Sequence, residues 1–179
     1  MRRAVPAAET LAESLRDAAQ PRLVLLTGGR GSSKTRWCGE LAQAARDAGL
    51  SLAGVISPPV YAAGKIAIDL LAVATGERRR LAQRPPPGEP GTAGLGWRFD
   101  LAALAWGNSI LDNTSACDLL LIDELGPLEF RGEGGLLAGF AAIEARRYRL
   151  AVVVVRPELL DAARARWPGF SLIYDKDIS

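Results

Sequence analysis

The chain has 179 residues, 49% of them hydrophobic and 23% charged, a mix that builds one packed core and excludes disordered, collagen-like and coiled-coil chains. Lysine plus arginine outnumber aspartate plus glutamate by only two, 22 against 20, so net charge gives no reason to expect nucleic acid or an anionic membrane as a partner. With no histidine and only Cys38 and Cys117, zinc sites, haem ligation, histidine-based triads and a disulfide framework lose their usual groups.

In chain order, Pro6 to Ala19 consists of helix formers with Leu11 and Leu15 on one face, and Pro21 stops the run. The N-terminus carries Arg2 and Arg3 but then Glu9, Glu13 and Asp17 in place of the apolar core of a signal peptide. Leu23 to Leu26 is apolar throughout and runs into glycines, which predicts a strand buried on both faces. Lys34 to Ala48 has helical spacing through Trp37 and Leu41, with Gly49 just past its end.

Leu52 to Ile56 predicts a second strand. The alternation Ile66, Ile68, Leu70 before the turn Thr75-Gly76-Glu77 predicts an antiparallel hairpin inserted between residues 60 and 83. Residues 84–96 are rich in proline and glycine and read as a loop.

Leu101 to Leu111 returns to helix, followed by an apolar strand Leu119 to Ile122, a helix from Leu136 to Arg147, a strand Leu150 to Val155, a helix Glu158 to Arg166 and a short strand Leu172 to Tyr174. This alternation predicts an α/β fold: a mainly parallel sheet with helices on both faces, in a single domain with an extra N-terminal helix over residues 1–21. The apolar runs are far shorter than the roughly 20 residues of a membrane span, and the expectation is a cytoplasmic protein with reduced thiols.

The segment Gly28-Gly29-Arg30-Gly31-Ser32-Ser33-Lys34-Thr35 follows the phosphate-loop pattern G-x-x-x-x-G-K-[ST], with Ser33 at the second fixed glycine. A buried strand before it and a helix after it are what the chemistry requires, because free amides and the positive end of the helix receive the phosphates. In that frame the amides from Gly29 to Thr35 surround the β-phosphate, Lys34 bridges β- and γ-phosphate oxygens, and the Thr35 hydroxyl ligates Mg2+. Lysine is rare in this chain, three against nineteen arginines, so its presence at the one position that requires it is informative.

Such a loop predicts a second acidic signal at the end of another buried strand, and Leu119-Leu120-Leu121-Ile122-Asp123-Glu124 supplies it. Asp123 is placed to hold the metal and Glu124, one residue on, to polarise an attacking water. Glu129 either orients water or caps local structure, and Arg156 follows the Leu150–Val155 strand at an edge where ligands bind in open sheets. Arg78, Arg79 and Arg80 read as a solvated face, Cys38 and Cys117 as packing thiols, and Trp37, Trp97, Trp106 and Trp167 as core and edge packing.

With both signals in place, the chain resembles the small P-loop nucleoside triphosphatases often called cancer-related NTPases. The likeness rests on Thr27-Gly28 through Lys34-Thr35, on Ile68-Asp69-Leu70 with Ala74-Thr75-Gly76-Glu77-Arg78, and on Asp123-Glu124-Leu125-Gly126-Pro127-Leu128-Glu129. The resemblance implies a RecA-like core that hydrolyses ATP, GTP or other nucleoside triphosphates, with Lys34, Thr35, Asp123 and Glu124 at its motif positions. Arg30, Ser33, Arg36 and Pro127 depart from the family pattern. Two other functions stay open at this point: a nucleotide-responsive switch or accessory subunit acting through a protein partner, and a kinase that passes the γ-phosphate to a small acceptor.

Overall fold

The computed structural model describes residues 2–15, 20–92, 96–170 and 172–178. Its strands are β1 (Arg2–Ala4), β2 (Arg22–Thr27), β3 (Leu52–Ile56), β4 (Pro59–Ala62), β5 (Gly64–Ala72), β6 (Arg78–Gln83), β7 (Arg98–Phe99), β8 (Cys117–Leu125), β9 (Tyr148–Val155) and β10 (Leu172–Asp175). Its helices are α1 (Ala8–Glu13), α2 (Lys34–Asp47), α3 (Leu101–Asp112), α4 (Pro127–Arg131), α5 (Ala138–Glu144) and α6 (Leu160–Arg166).

All ten strands join one sheet in the order β1-β10-β2-β9-β8-β3-β5-β6-β7, with β4 paired to β5. From β1 to β3 every pairing is parallel; from β3 onward every pairing is antiparallel. Strands with neighbours on both sides and both faces covered read as near-continuous apolar runs, as Leu23–Leu26 in β2, Leu119–Ile122 in β8 and Leu150–Val155 in β9 do.

Successive side chains of those strands enter opposite cores, as the pleat requires. Leu23, Leu25, Leu120, Ile122, Ala151 and Val153 pack on one face with α3, α5 and α6. Val24, Leu26, Leu119, Leu121, Val152 and Val154 pack on the other with α1 and α2. The Trp37 indole on α2 donates 2.9 Å to the Pro6 carbonyl just before α1, so the N-terminal helix is fastened to the helix that follows the glycine loop.

The predicted strands and helices are all present, with differences at the ends. The predicted first helix spans only Ala8–Glu13 of the described residues, and its stretch 16–19 lies outside them. The helix predicted from Leu136 begins at Ala138. Arg2–Ala4, carrying two exposed arginines, forms an edge strand that the sequence pattern does not announce, because it is held by backbone pairing to β10 and by the Arg2–Asp175 ion pair at 3.0 Å. The predicted hairpin is β5 and β6, extended on one side by β4 and on the other by β7.

At Gly54 the backbone takes φ 99°, and an added Cβ would run into the Leu121 carbonyl of β8. Only glycine lets β3 close on β8 there.

The last pairing of β3 with β5 joins Ile56 to Leu71. Because β5 runs antiparallel, its residues from Leu70 back to Lys65 continue past the carboxyl ends of the parallel strands. Six strand steps of about 3.4 Å amount to about 20 Å. Register shifts at Ile68/Asp69 and Val60/Tyr61 bend this projecting ribbon, which is how bulges re-aim a strand.

Candidate functional site

The parallel order β2-β9-β8-β3 brings four strand ends to one edge. The glycine loop leaves β2, Arg156 follows β9, Asp123 and Glu124 end β8, and Ser57 follows β3. Open α/β sheets bind ligands at this edge.

The loop from Gly28 to Ser33 turns directly into α2, a fourteen-residue helix whose first residue is Lys34. Its free N-terminal amides and dipole therefore face the loop. Lys34 Nζ lies inside the loop, donating to the Gly28 and Gly29 carbonyls at 2.7 Å each and to Ser32 Oγ at 3.2 Å. Ser33 has φ 61° and ψ 26°, in the left-handed region, and its hydroxyl makes no capping bond. That backbone conformation is the physical reason glycine belongs at this point of the pattern; serine adopts it at a cost in strain.

The Gly29 amide donates 2.7 Å to Asp177 Oδ2. Asp177 belongs to the turn after β10, whose Lys176 amide donates 3.0 Å to the Thr27 carbonyl. The turn thus covers the start of the loop, and Asp177 carries no sequence signal that would have pointed to this place.

The Thr35 hydroxyl lies close enough to the Asp123 carboxylate to favour its ionised form, so the two predicted motifs, nearly ninety residues apart, come together. Asp123 is 3% exposed and also accepts from the Ser57 amide at 3.3 Å. Burial pushes its carboxyl up to about 6, with the Glu124 charge acting in the same direction and the Thr35 hydroxyl, the Ser57 amide and Lys34 opposing it. Glu124 points elsewhere: its Oε1 takes the Arg156 Nε at 2.5 Å, both side chains being about a quarter exposed. The structure therefore gathers Lys34, Thr35, Asp123, Glu124 and Arg156.

Glu129 lies close enough to Glu124 to feel its charge, but its own carboxylate is engaged by backbone amides. Its two carboxylate oxygens accept from the Gly126 and Leu136 amides, each at 2.8 Å, so it ties the start of α4 to the segment leading into α5. Of the two roles open for Glu129, capping is the one its contacts show.

Arg79 pairs with Glu77 at 2.8 Å on the exposed side of the hairpin, whereas Arg80, read as solvated, reaches the buried carboxylate of Asp69 at 2.7 Å. Cys38 is fully buried and Cys117 partly so; burial raises both thiols, Cys117 to about 11, which keeps them unreactive. Trp37 and Trp167 are core residues, and Arg79 lies over the Trp106 ring at 4.4 Å.

One residue the motif search passed over stands close by. Lys65, on the projecting end of β5, is near enough to Glu124, Asp123, Arg156 and Arg30 for each charge to act on its ammonium. Burial, the largest influence, lowers its pKa. The available signal was its rarity, as one of only three lysines.

A hydrolytic site of this class uses a divalent metal, and the donors present suit Mg2+. A hydroxyl and a carboxylate are hard oxygen ligands, and Mg2+ is usually held by one or two carboxylates together with substrate phosphates. Among the described residues no group of three or more acidic, cysteine or histidine side chains could hold a metal ion by itself.

A loop of this form between strand and helix, with a buried acidic strand end beside it, defines a P-loop nucleoside triphosphatase architecture. The family model described as NTPase matches residues 23–166. The chain belongs to that NTPase family. In fold it is similar to a human cancer-related nucleoside triphosphatase known from a solution structure, at 21% identity and TM-score 0.62 over 86% of this chain and 88% of that one. It is also similar to THEP1 from the hyperthermophile Aquifex aeolicus in a crystal structure, at 14% identity and TM-score 0.60 over 85% of this chain and 88% of the other. No curated protein sequence matches the chain significantly. Among the described residues no helix is long and apolar enough to cross a membrane.

Proposed function

We propose that the protein is a Mg2+-dependent nucleoside triphosphatase that hydrolyses ATP- and GTP-type nucleotides to the diphosphate and phosphate. The observation that carries this reading is the placement of Lys34 Nζ inside the glycine loop, with the buried Asp123 at the end of β8 beside Thr35, which brings the phosphate loop and the acidic strand end into one site.

In this reading the amides of Arg30 to Thr35 receive the phosphates, the Gly29 amide being held by Asp177. Lys34 exchanges loop carbonyls for β- and γ-phosphate oxygens. Thr35 and Asp123 would hold Mg2+. Bound there, the ion would neutralise phosphate charge and favour the ionised form of Asp123.

Glu124 orients water for in-line attack. The water oxygen bonds to the γ-phosphorus, the bond to the bridging oxygen breaks with its electron pair leaving on the diphosphate, and the water's proton passes to Glu124 before release. Arg156, paired to Glu124, fixes the direction of that carboxylate. The unpaired thiols of Cys38 and Cys117 suit a reducing compartment, and we place the activity in the cytoplasm.

Phosphate release from Mg-ATP and Mg-GTP, measured with Lys34→Ala and Glu124→Gln beside the wild type, tests the assignment. Lys34→Ala should lose nucleotide binding, while Glu124→Gln should bind normally and turn over at least about 100-fold more slowly. Equal turnover by wild type and Glu124→Gln would remove Glu124 from its role. Nucleoside diphosphate formed only when a phosphoryl acceptor is supplied, with the phosphate on that acceptor and none released, would identify a kinase.

A further inference from the structure

We infer that Lys65, at the tip of the ribbon formed by β4 and β5, is a built-in catalytic cation that contacts the γ-phosphoryl group of the bound nucleotide. The inference rests on the triphosphatase reading above and assigns the source of a charge that reading leaves open.

The topology delivers the residue. Strand β5 leaves its pairing with β3 at Leu71 and runs six residues further, beyond the edge where the loop, Asp123, Glu124 and Arg156 lie. Two register shifts interrupt its pairing, at Ile68/Asp69 and at Val60/Tyr61, where bulges re-aim a strand. At its end the Lys65 ammonium lies 5.1 Å from the centre of the Trp97 ring. Arg84 stacks on the same ring at 5.2 Å and donates 2.9 Å to the Lys65 carbonyl, so the tip is tied to the segment after β6.

The chemistry points the same way. Among the described residues no carboxylate lies within ion-pair distance of Lys65, although Glu124 and Asp123 are close enough to attract it and Arg156 and Arg30 to repel it. A half-buried cation without an anionic partner, beside a phosphate loop, is a ready contact for an entering anion. The other nearby cations are differently placed: Arg156 Nε is taken by Glu124, Lys34 belongs to the loop interior, and Arg30 is exposed. In phosphoryl transfer such a cation acts on charge that develops in the transition state, so it affects turnover more than ground-state binding.

The test compares wild type, Lys65→Met and Lys65→Arg, each checked for an unchanged melting temperature. Steady-state hydrolysis of Mg-ATP and Mg-GTP should show kcat lower by at least about 100-fold in Lys65→Met, with Lys65→Arg within about tenfold of wild type. Binding gives the second readout. Mg-ADP affinity should stay within about twofold, whereas capture of Mg-ADP with aluminium fluoride, a mimic of the transferring phosphoryl group, should be lost in Lys65→Met and kept in Lys65→Arg. If Lys65→Met melts early, Lys65→Gln carries the same comparison.

Turnover and fluoride capture in Lys65→Met within about twofold of an active wild type would overturn the Lys65 assignment and leave the triphosphatase reading standing. A wild type that neither binds nor hydrolyses any Mg-nucleotide would overturn both.

Discussion

Ser33→Gly isolates the cost of the one non-glycine residue that breaks the loop pattern. In the structure Ser33 sits at φ 61° and ψ 26°, and a residue with a Cβ occupies that region at a cost of roughly 1–2 kcal/mol. Glycine removes this cost but loses about 0.4–1 kcal/mol through the greater freedom of the unfolded chain. No hydrogen bond is lost, because the Ser33 hydroxyl caps nothing in α2. The net expectation is a gain of roughly 0.5–1 kcal/mol, or a rise of about 1–4 °C in Tm for a chain of this size. Ser33→Ala keeps the Cβ and should melt within about 1 °C of wild type. The strain weighs equally on free and nucleotide-bound protein wherever the loop keeps this backbone, and a ligand responds only to differences between states. Mg-ATP affinity should therefore change by no more than about twofold. Thermal and urea unfolding of the three proteins, with nucleotide titration of each, checks both parts. A Ser33→Gly that melts no higher than Ser33→Ala would refute the strain argument.

Asp123→Asn separates stability from function at the metal-binding end of the site. Burial holds the carboxyl at about 6, above the usual value near 4, so the folded state binds the proton more tightly than the unfolded chain. The group favours folding below about 4, loses that contribution as pH rises to about 6, and is fully ionised in its buried position above this window. The asparagine variant should thus be more stable by roughly 1–3 kcal/mol at pH 7.5 without Mg2+, and should lose the Tm increase that Mg-nucleotide gives wild type. Asp118 has the opposite sign: the Ser51 hydroxyl and amide hold its carboxyl below the ordinary range. Its contribution is present above pH about 4 and lost as pH falls through the lowered value, so Asp118→Asn should flatten the acid limb of a stability–pH curve. Gly54→Ala should cost about 3 kcal/mol or more in urea unfolding, because the new methyl meets a backbone carbonyl and not a movable side chain. Glu129→Gln should melt lower by about 3 °C while keeping kcat within about twofold, since its oxygens serve the Gly126 and Leu136 amides.

The parts legible in the sequence were those with local causes. Apolar runs such as Leu119–Ile122 and Leu150–Val155 announce strands covered on both faces, and the glycines before Lys34 announce the turn into α2. Asp123 and Glu124 follow from their place at a strand end. What escaped depends on pairing between distant segments. Arg2–Ala4 is exposed and charged, and its contacts with the distant β10, backbone pairing and the Arg2–Asp175 ion pair, make it a strand. Asp177 reaches Gly29 only because β10 lies beside β2. Lys65 reaches the site through the register of β5 on β3, which no run of neighbouring residues encodes. Glu129 has the spacing of a site residue, but its contacts with two amides decide its role.

Strand β5 divides its labour along its length. Leu70 and Ala72 are buried in the body of the molecule, while Ile66 and Gly64 stand exposed at the far end. Substitutions along this single segment should therefore grade from collapse of the fold at one extremity to altered chemistry alone at the other.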